Sequence, residues 1–187
     1  MKTIGFLGTG NMGGAIAKAV ARAGYDMILA NRTKSKATTL ANEINKATGK
    51  KLAVCKDNKA AAACDIVFLA VKPYQAEEVI AGIKDSFTAK TLLISMMGAV
   101  TLSDLKSMTG LENIIRIMPN TPVAIGEGVT PWCTESCISE ENLKIFADLM
   151  QATGILYEVS QEQFDAITPI TGCGPAYAAM FVDFCFC

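Results

Sequence analysis

Apolar residues in this chain fall into short continuous runs, and the stretches between them carry helical periodicity. The runs are TIGFL (3–7), DMILAN (26–31), LAV (52–54), DIVFLAV (65–71), TLLIS (91–95) and NIIRIM (113–118). Helices are predicted over 11–23 and 34–48, in a short Ala-rich stretch after residue 54, and over 74–84 and 101–108. The runs do not alternate apolar with polar. Strands of that kind are covered on both faces, as in a parallel sheet. Strand–helix repetition with right-handed crossovers then predicts an α/β fold of the doubly wound, Rossmann type with a mostly parallel sheet.

The rhythm changes after Pro119. PNTPVAIGEGVTPW reads as a turn-rich segment, followed by a helix from Ser139 to about Ala152 and a last strand, ILYEV (155–159). Ser139 suits the N-cap, with Glu140 and Glu141 in the first turn. Residues 161–187 carry helical patterning without another strand, and near their end a Gly174-Pro175 turn is predicted to open an almost wholly apolar helix. The expected domains are therefore 1–160, a Rossmann-type α/β unit, and 161–187, the start of an all-α unit.

Composition narrows the choice of function. Of 187 residues, 51% are hydrophobic and 19% charged, and 17 basic against 18 acidic residues leave a formal charge of −1. Such a field draws the chain to neither nucleic acid nor an anionic membrane. No segment reads as an export signal or a bilayer span, so the expected location is cytoplasmic. The seven cysteines are then expected to be reduced. Cys133 with Cys137, and Cys185 with Cys187, are the pairs that could contribute to a metal site. With no histidine and no second CxxC the expectation is no metal. The missing histidine also removes the commonest general acid/base, so chemistry must rest on a cofactor or on other side chains.

The first loop supplies the cofactor signal. In GFLGTGNMGG, Gly8, Gly10 and Gly13 have G-x-G-x-x-G spacing between a strand and a helix. Gly8 allows a tight turn, Gly10 a close approach of backbone to pyrophosphate, and Gly13 close packing of helix on strand. With Thr9, Asn11 and Met12 they form the candidate phosphate loop, whose helix N-terminus offers free N–H groups. The alternative is a glycine-rich structural turn. At the end of the second strand an NAD site usually carries Asp or Glu, but here stand Asn31, Arg32 and Thr33. A carboxylate would repel a 2′-phosphate, whereas Arg32 can bind it, so NADP(H) is preferred and NAD(H) is the second choice. The plainer role for Arg32 is a solvated loop charge. Ala70, Val71 and Lys72 close the fourth strand, where ligands of open α/β sheets sit, although Lys72 also fits as a surface lysine.

Several segments together resemble the pyrroline-5-carboxylate reductase family: GFLGTGNMGGAIA, NRT, LAVKP, SMMGAVTL (95–102), RIMPNTP (116–122), GEGVT (126–130) and ITGCGPAY (170–177). The resemblance implies hydride transfer from NAD(P)H to the C=N carbon of 1-pyrroline-5-carboxylate, giving L-proline. It implies a homo-oligomer and a cofactor lined by the glycine loop, Asn31, Arg32 and residues 70–72. Met97 and Gly98 would lie near the nicotinamide. Asn120 and Thr121 would face the substrate cleft, or else simply build the Pro119–Pro122 turn.

Three departures from the family pattern stand out. Met96 and Met97 replace smaller residues, Cys173 stands where the family carries Ser, and the helical dimerisation domain that completes the family's substrate pocket does not follow Cys187. The resemblance thus implies a truncated chain with impaired turnover, whose catalytic residues are not assigned within it. The competing readings are a dinucleotide-binding module without activity, an enzyme of the β-hydroxyacid dehydrogenase type, and a reductase passing hydride between NADP and another soluble cofactor.

Overall fold

The computed structural model describes residues 2–135 and 138–186, so Cys137 and Cys187 lie outside the described residues. Strands β1 (Ile4–Leu7), β2 (Met27–Ala30), β3 (Ala53–Cys55), β4 (Ile66–Leu69), β5 (Leu92–Ser95), β6 (Ile114–Ile117), β7 (Gly128–Thr134) and β8 (Gly154–Glu158) form one sheet. Its order is β3-β2-β1-β4-β5-β6-β7-β8, and the order reverses about β1, as in doubly wound folds. Every pairing is parallel except β6 with β7. Between the strands lie α1 (Asn11–Arg22), α2 (Lys34–Thr48), α3 (Asn58–Ala62), α4 (Ala76–Ile83), α5 (Leu102–Thr109) and α6 (Glu140–Met150).

The continuous apolar runs are explained by burial on both faces. In β1, β4 and β5 every residue is buried. Phe6 and Phe68 stack across adjacent strands with ring centroids 4.6 Å apart. One core, beneath α1, α2 and α6, includes Ile16, Val20, Leu40, Phe146 and Leu149. The other, beneath α3, α4 and α5, includes Ile80, Ile83, Leu105 and Met97. The caps follow from the sequence. Ser139 Oγ accepts from Asn142 N at 3.2 Å, and Thr101 with Asp104 forms a reciprocal capping box at the start of α5.

The structure corrects the sequence reading in two places. The stretch read as turn-rich contains β7, with Pro131 inside it, although proline in a central strand argues against pairing. Pro131 meets Met118, one residue past the end of β6, and its carbonyl accepts from Met118 N at 2.9 Å. The missing N–H therefore falls on the last rung of the ladder, where it costs least.

The second correction concerns the C-terminal helices. Gly174-Pro175 does not open a new helix. The backbone is helical from α7 (Gln163–Thr168) through a π-helical turn, Pro169–Cys173, into α8 (Gly174–Phe186). A proline inside a helix has no N–H to give to the carbonyl four residues back and crowds it, and a local widening accommodates both effects.

Candidate dinucleotide site and its comparisons

The glycine loop lies at the carboxyl end of β1, and its three glycines have different physical reasons. Gly8 has φ +102°, and a Cβ there would lie 2.5 Å from Ala70 O. At Gly13 a Cβ would meet Gly8 O at 2.4 Å. Both are required by the protein's own packing. Gly10, the N-cap of α1, has φ −71°, an ordinary value for any residue, and a Cβ there would meet nothing within 4 Å. Its freedom from a side chain answers to nothing inside the chain.

Asn31 connects this loop to the end of β2. Its Oδ1 accepts from Thr9 N at 3.1 Å, and its Nδ2 donates to Thr33 O at 3.1 Å. Thr9 itself is buried, and its hydroxyl has no hydrogen-bond partner among the described residues. Arg32 and Thr33 are exposed beside Asn31.

Two hollows meet at Gly10, Ala70, Val71 and Lys72. One, of about 480 Å³, brings Gly8, Asn31, Arg32 and Thr33 together with Lys36, Asn58 and Tyr74. The other, of about 520 Å³, adds Asn11, Met12, Gly13, Met96 and Gly98. They form a bent cleft across the point where the strand order reverses, with its cations at one end. Lys36, in the first turns of α2, was not singled out by sequence reasoning. Its signal was its place in the first turn of the helix that follows Arg32.

Three of the sequence-picked residues have surroundings that the sequence did not specify. The Met97 side chain is 1% exposed and packs in the second core, so Met96 is the methionine that lines the cleft. Adjacent residues leaving a strand point to opposite sides, and the sequence alone did not say which methionine faced out. Asn120 is buried and bonded at both ends of its amide: Nδ2 donates to Thr171 O at 3.0 Å, and Oδ1 accepts from Val129 N at 3.0 Å. It joins β7 to the π-helical turn, a long-range contact beyond the local Pro119–Pro122 turn. Thr121 is exposed and lies outside both hollows.

Of the cysteines, Cys64 and Cys133 are buried, and burial raises both thiols above their ordinary range. Cys55, Cys173 and Cys185 are also free thiols.

A glycine loop at a helix N-terminus, a cleft at the reversal of strand order and cations at the end of β2 define a dinucleotide-binding oxidoreductase architecture. Residues 3–98 match the family described as NADP oxidoreductase, coenzyme F420-dependent. The whole chain is similar to pyrroline-5-carboxylate reductase of Aquifex aeolicus, with 32% identity over 182 residues, 96% of this chain and 66% of that protein. Among solved structures, it matches Plasmodium falciparum pyrroline carboxylate reductase with NADP bound at 31% identity and a TM-score of 0.81, covering 98% of this chain and 67% of that one. The Coxiella burnetii pyrroline-5-carboxylate reductase matches at 30% identity and a TM-score of 0.84, with 97% and 68% coverage. The chain belongs to the pyrroline-5-carboxylate reductase family. It spans about two thirds of the length of the curated relatives it matches.

Proposed function

We propose that the cleft binds NADP(H) and that the protein reduces 1-pyrroline-5-carboxylate to L-proline. The observation that carries the cofactor half is Gly10. A glycine with an unstrained φ and open space above it has no packing role, but a pyrophosphate laid against the loop requires the backbone to be bare there. The N–H groups at the start of α1 face that position and suit an anion. Arg32 and Lys36 would hold the 2′-phosphate, and Asn31 keeps the loop in register with them. Ala70, Val71, Met96 and Gly98 would line the nicotinamide end.

Bound NADPH supplies the hydride, and the protein's task is placement. A protonated imine is already electrophilic, so alignment of the acceptor carbon with the nicotinamide provides the rate advantage without a histidine. The cleft's own ionisable groups, Arg32, Lys36, Lys72, Tyr74 and Glu78, lie toward the cationic end or at the junction of the two hollows. Residues 1–160 would form the cofactor unit and 161–187 the beginning of the helical one.

Among the described residues no helix is long and apolar enough to cross a membrane. The apolar side chains of α8, including Tyr177, Met180, Phe181, Phe184 and Phe186, are exposed. Apolar surface of that extent favours coverage, and association with a second copy through this helix is the arrangement we assign. A compartment that keeps thiols reduced, the cytoplasm, suits the free cysteines.

Fluorescence titration with NADPH and NADH, followed by a proline-forming assay, tests the reading. Tighter binding of NADPH is the expected outcome, with turnover on the cyclic imine slower than in the longer relatives. Failure to bind either dinucleotide would overturn the cofactor half, and binding without turnover would overturn the catalytic half.

A further inference from the structure

Among the described residues, Arg116 on β6 is the largest fully buried side chain, 1% exposed. Burying a guanidinium among apolar residues is expensive unless its charge is used, and an apolar side chain would fill the same space at lower cost. Its surroundings indicate the use. Nη2 donates to the carbonyl of Gly98 at 2.8 Å. The guanidinium carbon sits 4.3 Å from the centroid of the Phe164 ring. Gly98 lies in the loop after β5 and lines the 520 Å³ hollow together with Met96. Phe164, wholly buried, belongs to α7. One side chain therefore touches the backbone of the cleft loop and the first helix of the C-terminal segment.

The loop has few other restraints of this kind. Met97 N donates to Ser95 Oγ at 3.3 Å, and the Met97 side chain anchors in the core. The Gly98 carbonyl takes its side-chain hydrogen bond from Arg116, and glycine has no side chain to fix the peptide by packing. Without that donor the peptide can rotate, and the position of Gly98 at the lip of the cleft would change with it.

We propose that Arg116 is a positioning residue that sets the Gly98 peptide at the nicotinamide end of the cleft, and that it does so only while Phe164 of α7 is packed against it. The grip on the nicotinamide half of the cofactor is thereby coupled to the docking of the C-terminal helices. The adenosine end, formed by Asn31, Arg32 and Lys36, belongs to the other hollow, which Arg116, Phe164 and Gly98 do not line, and does not depend on them. The inference rests on the dinucleotide reading given above.

The experiment compares two probes on the whole chain: NADPH, which fills both hollows, and adenosine 2′,5′-bisphosphate, which fills only the cationic one. Arg116→Met should weaken NADPH about tenfold, the size of effect expected for one charge-assisted hydrogen bond. It should leave the bisphosphate within about twofold, since nothing at that end is touched. Arg116→Lys should recover part of the loss, because an ammonium can still donate to the carbonyl. Phe164→Leu, which keeps Arg116 but removes the ring, should weaken NADPH about threefold and again spare the bisphosphate. Emission of bound NADPH should be less enhanced in both Arg116→Met and Phe164→Leu, reporting a more mobile nicotinamide.

Circular dichroism establishes folding for each variant. If Arg116→Met does not fold, Arg116→Lys and Phe164→Leu decide the matter by the same ratio of affinities. Parallel weakening of both probes, unchanged NADPH affinity, or equal wild-type affinity for the two probes would each overturn the proposal. Wild-type protein that binds neither probe would instead overturn the dinucleotide reading, and this inference with it.

Discussion

The side-chain amide of Asn120 donates at 3.0 Å to the carbonyl of Thr171, whose in-helix donor four residues on would be Pro175. Proline has no N–H, so Asn120 supplies from the sheet side a hydrogen bond that the residue four positions on cannot. The same amide accepts from Val129 N at the start of β7. MPNTP and TGCGPAY, widely separated in the chain, are two halves of one joint. Asn120→Ala should destabilise the protein by about 1–3 kcal/mol, the cost of leaving part-buried partners unsatisfied. Urea unfolding measures it, and a change within error would show that the joint does not bear on stability.

Asn31 joins the loop and the cationic end, so its substitutions should separate two effects. Asn31→Ala removes the acceptor for Thr9 N and should weaken NADPH and NADH alike, by about fivefold to tenfold. Asn31→Asp keeps an acceptor but places a carboxylate where a 2′-phosphate would lie, and should move the preference toward NADH. Fluorescence titrations with both cofactors check the pair of outcomes.

Arg32→Ala and Lys36→Ala should each weaken NADPH by about tenfold or more while leaving NADH nearly unchanged, because only NADPH carries the phosphate they would meet. Equal losses for both cofactors would remove these residues from the 2′-phosphate site.

The glycines of the loop should respond in opposite ways. Gly10→Val should abolish dinucleotide binding with the melting curve close to wild type, since the space above Gly10 is open. Gly8→Ala should lower stability by at least about 1–2 kcal/mol, because a Cβ at φ +102° is both strained and in collision with Ala70 O. Thermal melts by circular dichroism, paired with NADPH titration, distinguish the two.

Asp65 accepts from the backbone N–H of Thr3 at 2.7 Å and from its hydroxyl at 3.0 Å. The backbone hydrogen bond, chiefly, holds its carboxyl below the ordinary range. A folded pKa below the unfolded value near 3.9 means a contribution fully present above about pH 4 and lost as the pH falls through the folded value. Asp65→Asn should therefore be less stable than wild type at pH 7 by about 0.5 kcal/mol, a small figure because the carboxylate is exposed. The difference should shrink to nothing in strong acid, which urea midpoints at the two pH values will show.

Six of the eight strands and the whole Rossmann half were legible in the chain as a string, because continuous apolar runs have few other places to go and G-x-G-x-x-G needs only local geometry. β8 was legible too, as a short β-rich run. β7 was not, since its Pro131 contradicts strand propensity and only the end-of-ladder register against Met118 makes it harmless. Local pattern also put Gly8, Gly10 and Gly13 between strand and helix with separate roles, but it could not tell a Gly8 required only by its turn from one also crowded by distant backbone. That distinction depends on Ala70, which lies far along the chain and arrives beside the loop only through the parallel pairing of β1 with β4. The choice of Met96 over Met97, the double bonding of Asn120, and the contact of Arg116 with both Gly98 and Phe164 have the same origin. Each is a relation between residues distant in sequence, and no propensity or period of the chain encodes which of two neighbouring side chains will meet a partner that folding has yet to bring near.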